Sequence, residues 1–184
     1  MLIISSCTIL LFSIKGFDES SLRIAIRYTA KFAVTLFAIA FVASSLYFLY
    51  KSSATHFLKK NRKLIGLTFG TFHFSHLFFL GLLQMVFHPV FSLAKTTSLL
   101  AGGIAYIFIL VMMITSFPKV QKRFKPWRIL HAIGSYWIWA IFFNSYLKNV
   151  INKERYYFFF ILLVAVLLIR LYTKVKGRRN LISS

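Results

Sequence analysis

Histidine is the residue type in this sequence with the most chemical potential. Two of its five histidines lie within an uncharged run over 64–94, a third lies toward the end of that run, and a fourth starts another apolar run over 129–147. In order along the chain the five are His56, His73, His76, His88 and His131. Imidazole is the usual axial ligand of haem iron, and bundles build such sites from facing helices. The chain therefore carries candidate haem ligands at His73, His76 and His131.

The spacing around His73 is helical. Residues spaced three or four positions apart, most of them small or polar, predict one stripe facing the bundle interior; they are Gly66, Gly70, His73, Leu77, Gly81, Gln84 and His88. Glycines on such a stripe allow close approach of a neighbouring helix or of a flat cofactor. The phenylalanines between them, at 69, 72, 78 and 79, are expected to face lipid.

A second interpretation of the histidines stays open. Polar residues inside a membrane often bond across helices, and these histidines could do no more than reach groups such as Ser135 or Tyr136. Zinc is disfavoured, because the carboxylates that normally support its histidine ligands are missing.

Composition excludes several other kinds of chemistry. The only acidic residues are Asp18, Glu19 and Glu154, so no carboxylate pair or hard-metal site is expected. One cysteine, Cys7, cannot form an intrachain disulfide, and no nucleotide-binding motif occurs. The formal net charge is +20, but the basic residues flank apolar runs, as expected for membrane orientation. Nucleic acid is therefore rejected as a partner.

The elements that must position these histidines are transmembrane helices. Hydrophobic residues make up 59% of the 184 residues, and the runs 32–50, 64–94, 96–118 and 129–147 contain no charge. The run 156–173 contains only Arg170, whose side chain is expected to reach the lipid head groups. These runs predict five membrane spans. Residues 2–14 are apolar but short, so they predict a sixth helix or an interfacial segment; a cleavable signal peptide is disfavoured.

Charge distribution predicts the orientation. Five spans place 15 of the 23 Lys and Arg residues on one side, in the segments 51–63 and 119–128 and in the tail from Arg170. By the positive-inside rule that side is cytoplasmic, and the C-terminus with it. Loops of about ten residues predict antiparallel neighbours. The predicted fold is an all-α bundle of six transmembrane helices forming a single domain over residues 1–184.

A basic stripe lies on the approach to the first of these long runs. Arg23, Arg27 and Lys31 are spaced four apart, which predicts an anchor for lipid phosphates. Contact with haem propionates or a quinone head group is the alternative.

Two segments resemble the ferric reductase-like transmembrane family. The run NRKLIGLTFGTFHFSH (61–76) resembles its helix in which a histidine, here His76, stands ten residues after a glycine, here Gly66. The run TSFPKVQKRFKPWRILHAIGSYWIWAIF (115–142) resembles its later basic loop and Trp-x-x-Leu-His helix start, here Trp127, Leu130 and His131. With the six-helix layout, the resemblance covers most of the chain.

The resemblance implies a b-type haem held by His76 and His131, with His73 as an alternative or supporting group. It implies a compact protein of the bacterial cytoplasmic membrane, an oxidoreductase subunit without its own flavin domain. Such a protein passes electrons from a quinol or a separate reductase protein to an acceptor across the membrane. The family often has a second histidine on each helix; Arg62 and Asn144 stand at those positions here.

Depth along the membrane separates the two implied ligands. With helix starts near 64 and 128, His76 lies about 18 Å into the membrane and His131 about 5 Å. A single iron between them requires tilt or a shallower partner such as His73. The alternative function is a cofactor-free membrane protein acting as an assembly or interaction subunit. A transporter is disfavoured, because no span carries an acidic residue.

Overall fold

The protein is all-helical throughout the described part of the chain. A computed structural model describes residues 18–88, 93–150 and 154–182, and these ranges contain six α-helices and no strand. The helices are α1 (Glu19–Leu49), α2 (Ser53–Phe87), α3 (Leu93–Ile114), α4 (Pro118–Arg123), α5 (Trp127–Val150) and α6 (Tyr157–Ile182), the last preceded by a 3-10 turn (Glu154–Tyr156). The short helix predicted over 2–14, with Cys7, lies outside the described residues.

The five long helices coincide with the five uncharged or nearly uncharged runs of the sequence, which confirms the all-α prediction. Three of them, α1, α2 and residues 157–177 of α6, are long and apolar enough to cross a membrane. The apolar segment described in α3, Leu100–Ile114, is shorter, and α5 mixes Trp, Tyr, Ser and Asn into its apolar sequence. For these two helices the prediction of a span rests on the sequence.

Local hydrogen bonds set where α1 and α2 begin. Asp18 caps α1 by accepting from the backbone N–H of Ser21 at 2.8 Å. Ser52 and Thr55 cap α2 reciprocally, each side chain accepting from the other's backbone. Only residues 50–52 separate the two helices, and so short a connection makes α1 and α2 antiparallel neighbours.

The long helices alternate in direction around the bundle. On α5, Trp139 Nε1 donates to the carbonyl oxygen of Leu163 on α6 at 2.9 Å. On α6, Thr173 Oγ1 donates to Ser45 Oγ on α1 at 2.9 Å, and Arg170 contacts Phe41 one turn earlier. Residue numbers rise together on these two helices, so the last helix runs parallel to the first and closes the bundle.

Aromatic rings fill the centre of the bundle. The ring centroid of Phe37 on α1 lies 5.3 Å from that of Phe41 and 5.4 Å from those of Phe69 on α2 and Phe142 on α5. The prediction that Phe69 and Phe79 face lipid is wrong, since each is 6% exposed. Helix α1 covers one flank of α2, so positions beside the predicted stripe are buried as well. Phe78 is 65% exposed, as predicted.

Large apolar side chains also cover the outer surface. Met85 on α2, Leu100 on α3 and Phe158 on α6 are 76%, 69% and 67% exposed. Water disfavours so much exposed apolar surface, whereas lipid chains solvate it. With three helices able to cross a bilayer, the chain is an integral membrane protein.

The two basic segments between helices meet at one end of the bundle, called here the basic end. There α1, α3 and α6 end, and α2 and α5 begin. Lys63 Nζ lies 4.9 Å from the ring centroid of Phe117, which joins the segment 51–63 to the segment after α3. Arg170 and Thr173 bring the late part of α6 to the same end. The three basic segments therefore lie at the same end of the bundle.

Candidate functional site

Two of the three candidate ligands lie together inside the bundle. His73 and His76 are separated by one turn of α2, and their ring centroids are 5.7 Å apart with an interplanar angle of 19°. Both side chains are half-buried. Polar groups in the interior of a membrane bundle are unfavourable unless they have partners, so the contacts of each ring indicate what it can do.

A hydrogen bond to α1 fixes the proton of His76. Its Nδ1 lies 2.9 Å from the carbonyl oxygen of Ile26 and 3.4 Å from Thr29 Oγ1. A carbonyl oxygen only accepts, so Nδ1 must carry the proton and donate it. The neutral ring then has its lone pair on Nε2, which bonds to no group in the described part of the chain. An Nδ1–H bound to a backbone carbonyl is the usual support for a histidine that ligates through Nε2.

His73 lies within an aromatic enclosure. Its ring stacks on that of Tyr106 from α3 at 4.5 Å and meets Phe142 from α5 edge-on at 5.4 Å. Phe69 lies 5.6 Å away on the preceding turn. Among the described residues, no group hydrogen-bonds to its buried Nδ1. An unpaired buried polar atom is destabilising and needs a reason, and a ligand contacted by the ring is one such reason.

His131 bridges two helices at the basic end. Its Nε2 lies 2.9 Å from Thr115 Oγ1 at the end of α3. Thr115 donates its single hydroxyl proton to the carbonyl oxygen of Val111 at 2.7 Å, so the hydroxyl accepts from His131 and Nε2 carries the proton. The lone pair of the neutral ring is therefore on Nδ1. Trp127 meets the ring edge-on at 5.5 Å.

The structure does not bring His131 to the other two histidines. His73 contacts Tyr106 on α3, whereas His131 contacts Thr115 nine residues later, about 14 Å further along the helix axis. Two axial nitrogens on one metal ion lie about 4 Å apart, since each metal–nitrogen bond is about 2 Å. His76 and His131 thus lie at different positions along the bundle axis, as the depths calculated from the sequence indicated. Within residues 18–88, 93–150 and 154–182, no three His, Cys, Asp or Glu side chains converge.

The prediction that one stripe of α2 faces the bundle interior is correct only for its first part, around Gly70 and His73. A Cβ atom at Gly70 would overlap the sulfur of Met113, so α2 and α3 do approach closely there. In contrast, Leu77, Gln84 and His88 are exposed. Their part of α2 packs mainly on α1, through Leu83 and its neighbours, and so its other face is uncovered.

The second interpretation, that the histidines bond across helices, agrees with the contacts observed, but the bonding partners differ from those expected. His76 bonds to Ile26 and His131 to Thr115, rather than to Ser135 or Tyr136. These bonds do not exclude ligation, because each leaves one ring nitrogen with a lone pair.

A cavity at the basic end was not predicted by any pattern in the sequence. It has a volume of about 490 Å³, lies between α1, α2, α5 and α6, and is called here the basic cavity. Phe37, Phe41 and Trp127 supply aromatic wall. Its polar side chains include His131 and four cationic groups, Arg62, Lys63, Arg128 and Arg170.

Two arginines of this cavity are tied to consecutive carbonyls of α1. Arg62 Nε donates to Ala40 O at 2.9 Å, and Arg170 Nη1 donates to Phe41 O at 2.9 Å. The Arg170 guanidinium carbon also lies 4.0 Å from the ring centroid of Phe41. The Arg170 side chain does not extend over the outer surface: a carbonyl and the faces of Phe41 and Tyr136 hold its guanidinium group inside the basic end. Sequence analysis missed Arg170 as a candidate, although an ionisable residue within an apolar run is a signal that could have identified it.

The basic stripe at the start of α1 is partly neutralised by its own helix. Arg23 forms an ion pair with Glu19, and Arg27 Nε donates to Arg23 O at 3.1 Å. Lys31 lies near the face of Tyr28. These contacts leave Arg27 and Lys31 as the members whose charge no acidic group balances among the described residues.

Comparison with known proteins identified no relative of this chain. No protein-family model, curated protein or solved structure matches the chain.

Proposed function

We propose that this chain is a membrane haem b electron-transfer protein, as its resemblance to ferric reductase-like proteins implies. The observation that carries the proposal is the hydrogen bond from His76 Nδ1 to Ile26 O. It prepares Nε2 as a ligand nitrogen inside the bilayer and holds the ring through a second helix. When bound, a haem would supply one-electron redox chemistry.

The residues of this chain would bind and orient that group. His76 would hold the haem iron through Nε2, and His73 would be the neighbouring imidazole, enclosed by Tyr106 and Phe142. His131 lies about 14 Å along the bundle, so we assign it to a separate level near the basic end.

The proposed path of electrons follows the orientation of the bundle. We place the basic end, and the C-terminus with it, in the cytoplasm of a bacterial cell, because positive charge concentrates there. A quinol or a separate cytoplasmic reductase would supply electrons, since no dinucleotide-binding motif occurs in the sequence. The acceptor would lie on the opposite side of the membrane.

An absorption spectrum of the detergent-purified protein tests this function. Protein expressed with ample haem should show a Soret band that shifts on addition of dithionite, and a pyridine haemochrome assay should give the stoichiometry. The substitution His76→Ala should remove the band, whereas His88→Ala, at the exposed residue that directly follows the same helix, should not. A featureless spectrum would overturn the proposal.

A specific observation favours a second candidate function. His76 joins α2 to α1, and His131 joins α5 to α3, so both could serve only to hold helices together. The chain would then be a cofactor-free assembly or interaction subunit of a membrane complex. Under this function the protein lacks a haem spectrum, and His76→Ala and His131→Ala lower only its unfolding temperature.

A further inference from the structure

The basic cavity combines a high positive charge with an apolar wall. Four cationic side chains line it, and no carboxylate does. Lys63 and Arg128 are exposed, while Arg62 and Arg170 are half-buried. Bringing like charges together in a partly desolvated space is unfavourable unless an anion balances them.

The two half-buried arginines keep donors available for such an anion. Arg62 donates from Nε to Ala40 O and from Nη1 to Ser44 Oγ. Arg170 donates to Phe41 O and Ser135 Oγ. Each guanidinium has five N–H groups, so these contacts orient both groups while leaving other N–H groups free. Preoriented guanidinium groups are well suited to bidentate binding of phosphate oxygens.

The chain has no acidic side chain that could balance this charge. Glu19 lies 21 residues before Ala40 on the same helix, a distance of about 32 Å along the axis, and Glu19 is already paired with Arg23. Asp18 adjoins it, and Glu154 lies 16 residues before Arg170, about 24 Å along α6. All three acids are therefore remote, and the counter-anion must come from another molecule.

The position of the cavity indicates the chemical class of that molecule. Arg62 and Lys63 directly precede the uncharged run of α2, and Trp127 and Arg128 directly precede that of α5, which places them at the level of lipid phosphates. Phe37 and Ala132, deeper in the same lining, provide apolar surface for a chain. An anionic head group attached to a hydrocarbon tail matches both parts of the cavity.

We propose that the basic cavity binds the phosphate head group of an anionic membrane lipid, with Arg62 and Arg170 as the inner contacts and Lys63 and Arg128 at its mouth. Four cations favour a doubly charged phosphomonoester over a singly charged phosphodiester. The cavity is thus a specific lipid site, distinct from the general attraction of basic loops to an anionic surface.

A titration with defined lipids tests the proposal. The purified full chain in mixed micelles is titrated with phosphatidic acid, phosphatidylglycerol or phosphatidylcholine, and binding is followed by unfolding temperature and native mass spectrometry. Phosphatidic acid should bind most tightly and phosphatidylcholine least. Inorganic phosphate at the same concentrations separates a free anion from a lipid, and it should not reproduce the stabilisation.

Matched variants separate the cavity from surface charge. Arg62→Gln should weaken phosphatidic acid binding on the order of tenfold, the effect of losing a charged hydrogen-bond donor. Arg128→Gln, which removes an exposed cation without touching the anchors on α1, should weaken it severalfold and covers the case in which Arg62→Gln fails to fold. Lys60→Gln, an exposed cation of the same segment outside the cavity, should change it little.

Four outcomes would overturn the proposal. The first is equal loss of affinity in the Lys60 and Arg128 variants, and the second is equal binding of phosphatidic acid and phosphatidylcholine. The third is full stabilisation by inorganic phosphate alone. The fourth is a bound species with the mass of haem, and no lipid, in the His76→Ala variant, which lacks the proposed haem ligand of α2.

Discussion

At the scale of single residues, hydrogen-bond partners decide what each histidine can do. The sequence marks His73, His76 and His131 as unusual, because imidazoles are rare in apolar spans. It does not reveal that His76 donates to a backbone carbonyl, that His131 donates to a threonine or that His73 Nδ1 has no described partner. Those facts depend on which neighbouring helix faces each ring, and no local pattern encodes that choice.

Removal of the Thr115 hydroxyl should destabilise the junction of α3 and α5. The nearly isosteric change Thr115→Val leaves His131 Nε2–H without an acceptor, at about 1–3 kcal/mol for a buried unsatisfied group. Thermal unfolding in detergent measures the loss. Thr68→Val is the matched control, because Thr68 is half-buried and bonds only within its own helix; equal effects in the two variants would contradict a specific role for the His131 bond.

Replacement of His73 by phenylalanine should stabilise the haem-free protein. The change removes a buried nitrogen that no described group satisfies, a gain of about 1 kcal/mol, and retains an aromatic ring against Tyr106. Unfolding of haem-free protein is compared with that of His56→Phe, at an exposed histidine of the same helix, which should be close to neutral. A marked loss of stability would mean that His73 has a partner, such as a bound cofactor or water.

At the scale of elements, absence of charge was sufficient to locate every long helix. The uncharged run 129–147, for example, lies within α5 (Trp127–Val150). The six-residue α4 was missed because it lies in a basic segment too short and polar to show periodicity. Its one local signal is Pro118 at the first helical turn, where the fixed backbone of proline is favourable.

The contact between α2 and α3 at Gly70 should be sensitive to a single methyl group. Gly70→Ala places a Cβ atom on the Met113 sulfur, and moving that flexible side chain should destabilise the protein by about 1 kcal/mol. Met113→Ala in the same chain should relieve the overlap. Gly81→Ala is the control, since no atom lies within 4 Å of its Cβ position; a larger loss at Gly81 than at Gly70 would refute the proposed close contact.

At the scale of the whole molecule, charge asymmetry predicts which end faces the cytoplasm. In a Cys7→Ser background, Lys60→Cys and Lys122→Cys at the basic end should resist a membrane-impermeant maleimide in intact cells. Lys148→Cys, near the opposite end of α5, should react. All three positions are exposed, so their reactivity reports on sidedness. The reverse pattern would invert the proposed orientation.

The packing of α6 against α1, which closes the bundle, could not be predicted from sequence patterns. Alternating direction follows from short loops, but the pairing of α6 with α1 joins residues that are distant in the sequence. Arg170 was interpreted as an isolated charge near a helix end. Its contact with Phe41 shows that the charge belongs to the interface between the last helix and the first.

This pairing of the last helix with the first has a consequence for biosynthesis. Phe41 and its partner Arg170 are 129 residues apart, so at about 5–20 residues per second the ribosome makes the second on the order of ten seconds after the first. Throughout that interval the hairpin of α1 and α2 can form, but the polar positions of α1 that receive α6 remain open to lipid, to the insertion machinery or to a chaperone. The newly made chain therefore passes through a stage in which α1 and α2 are inserted but α6 is absent, and the docking of α6 on α1 is the step that closes the described bundle.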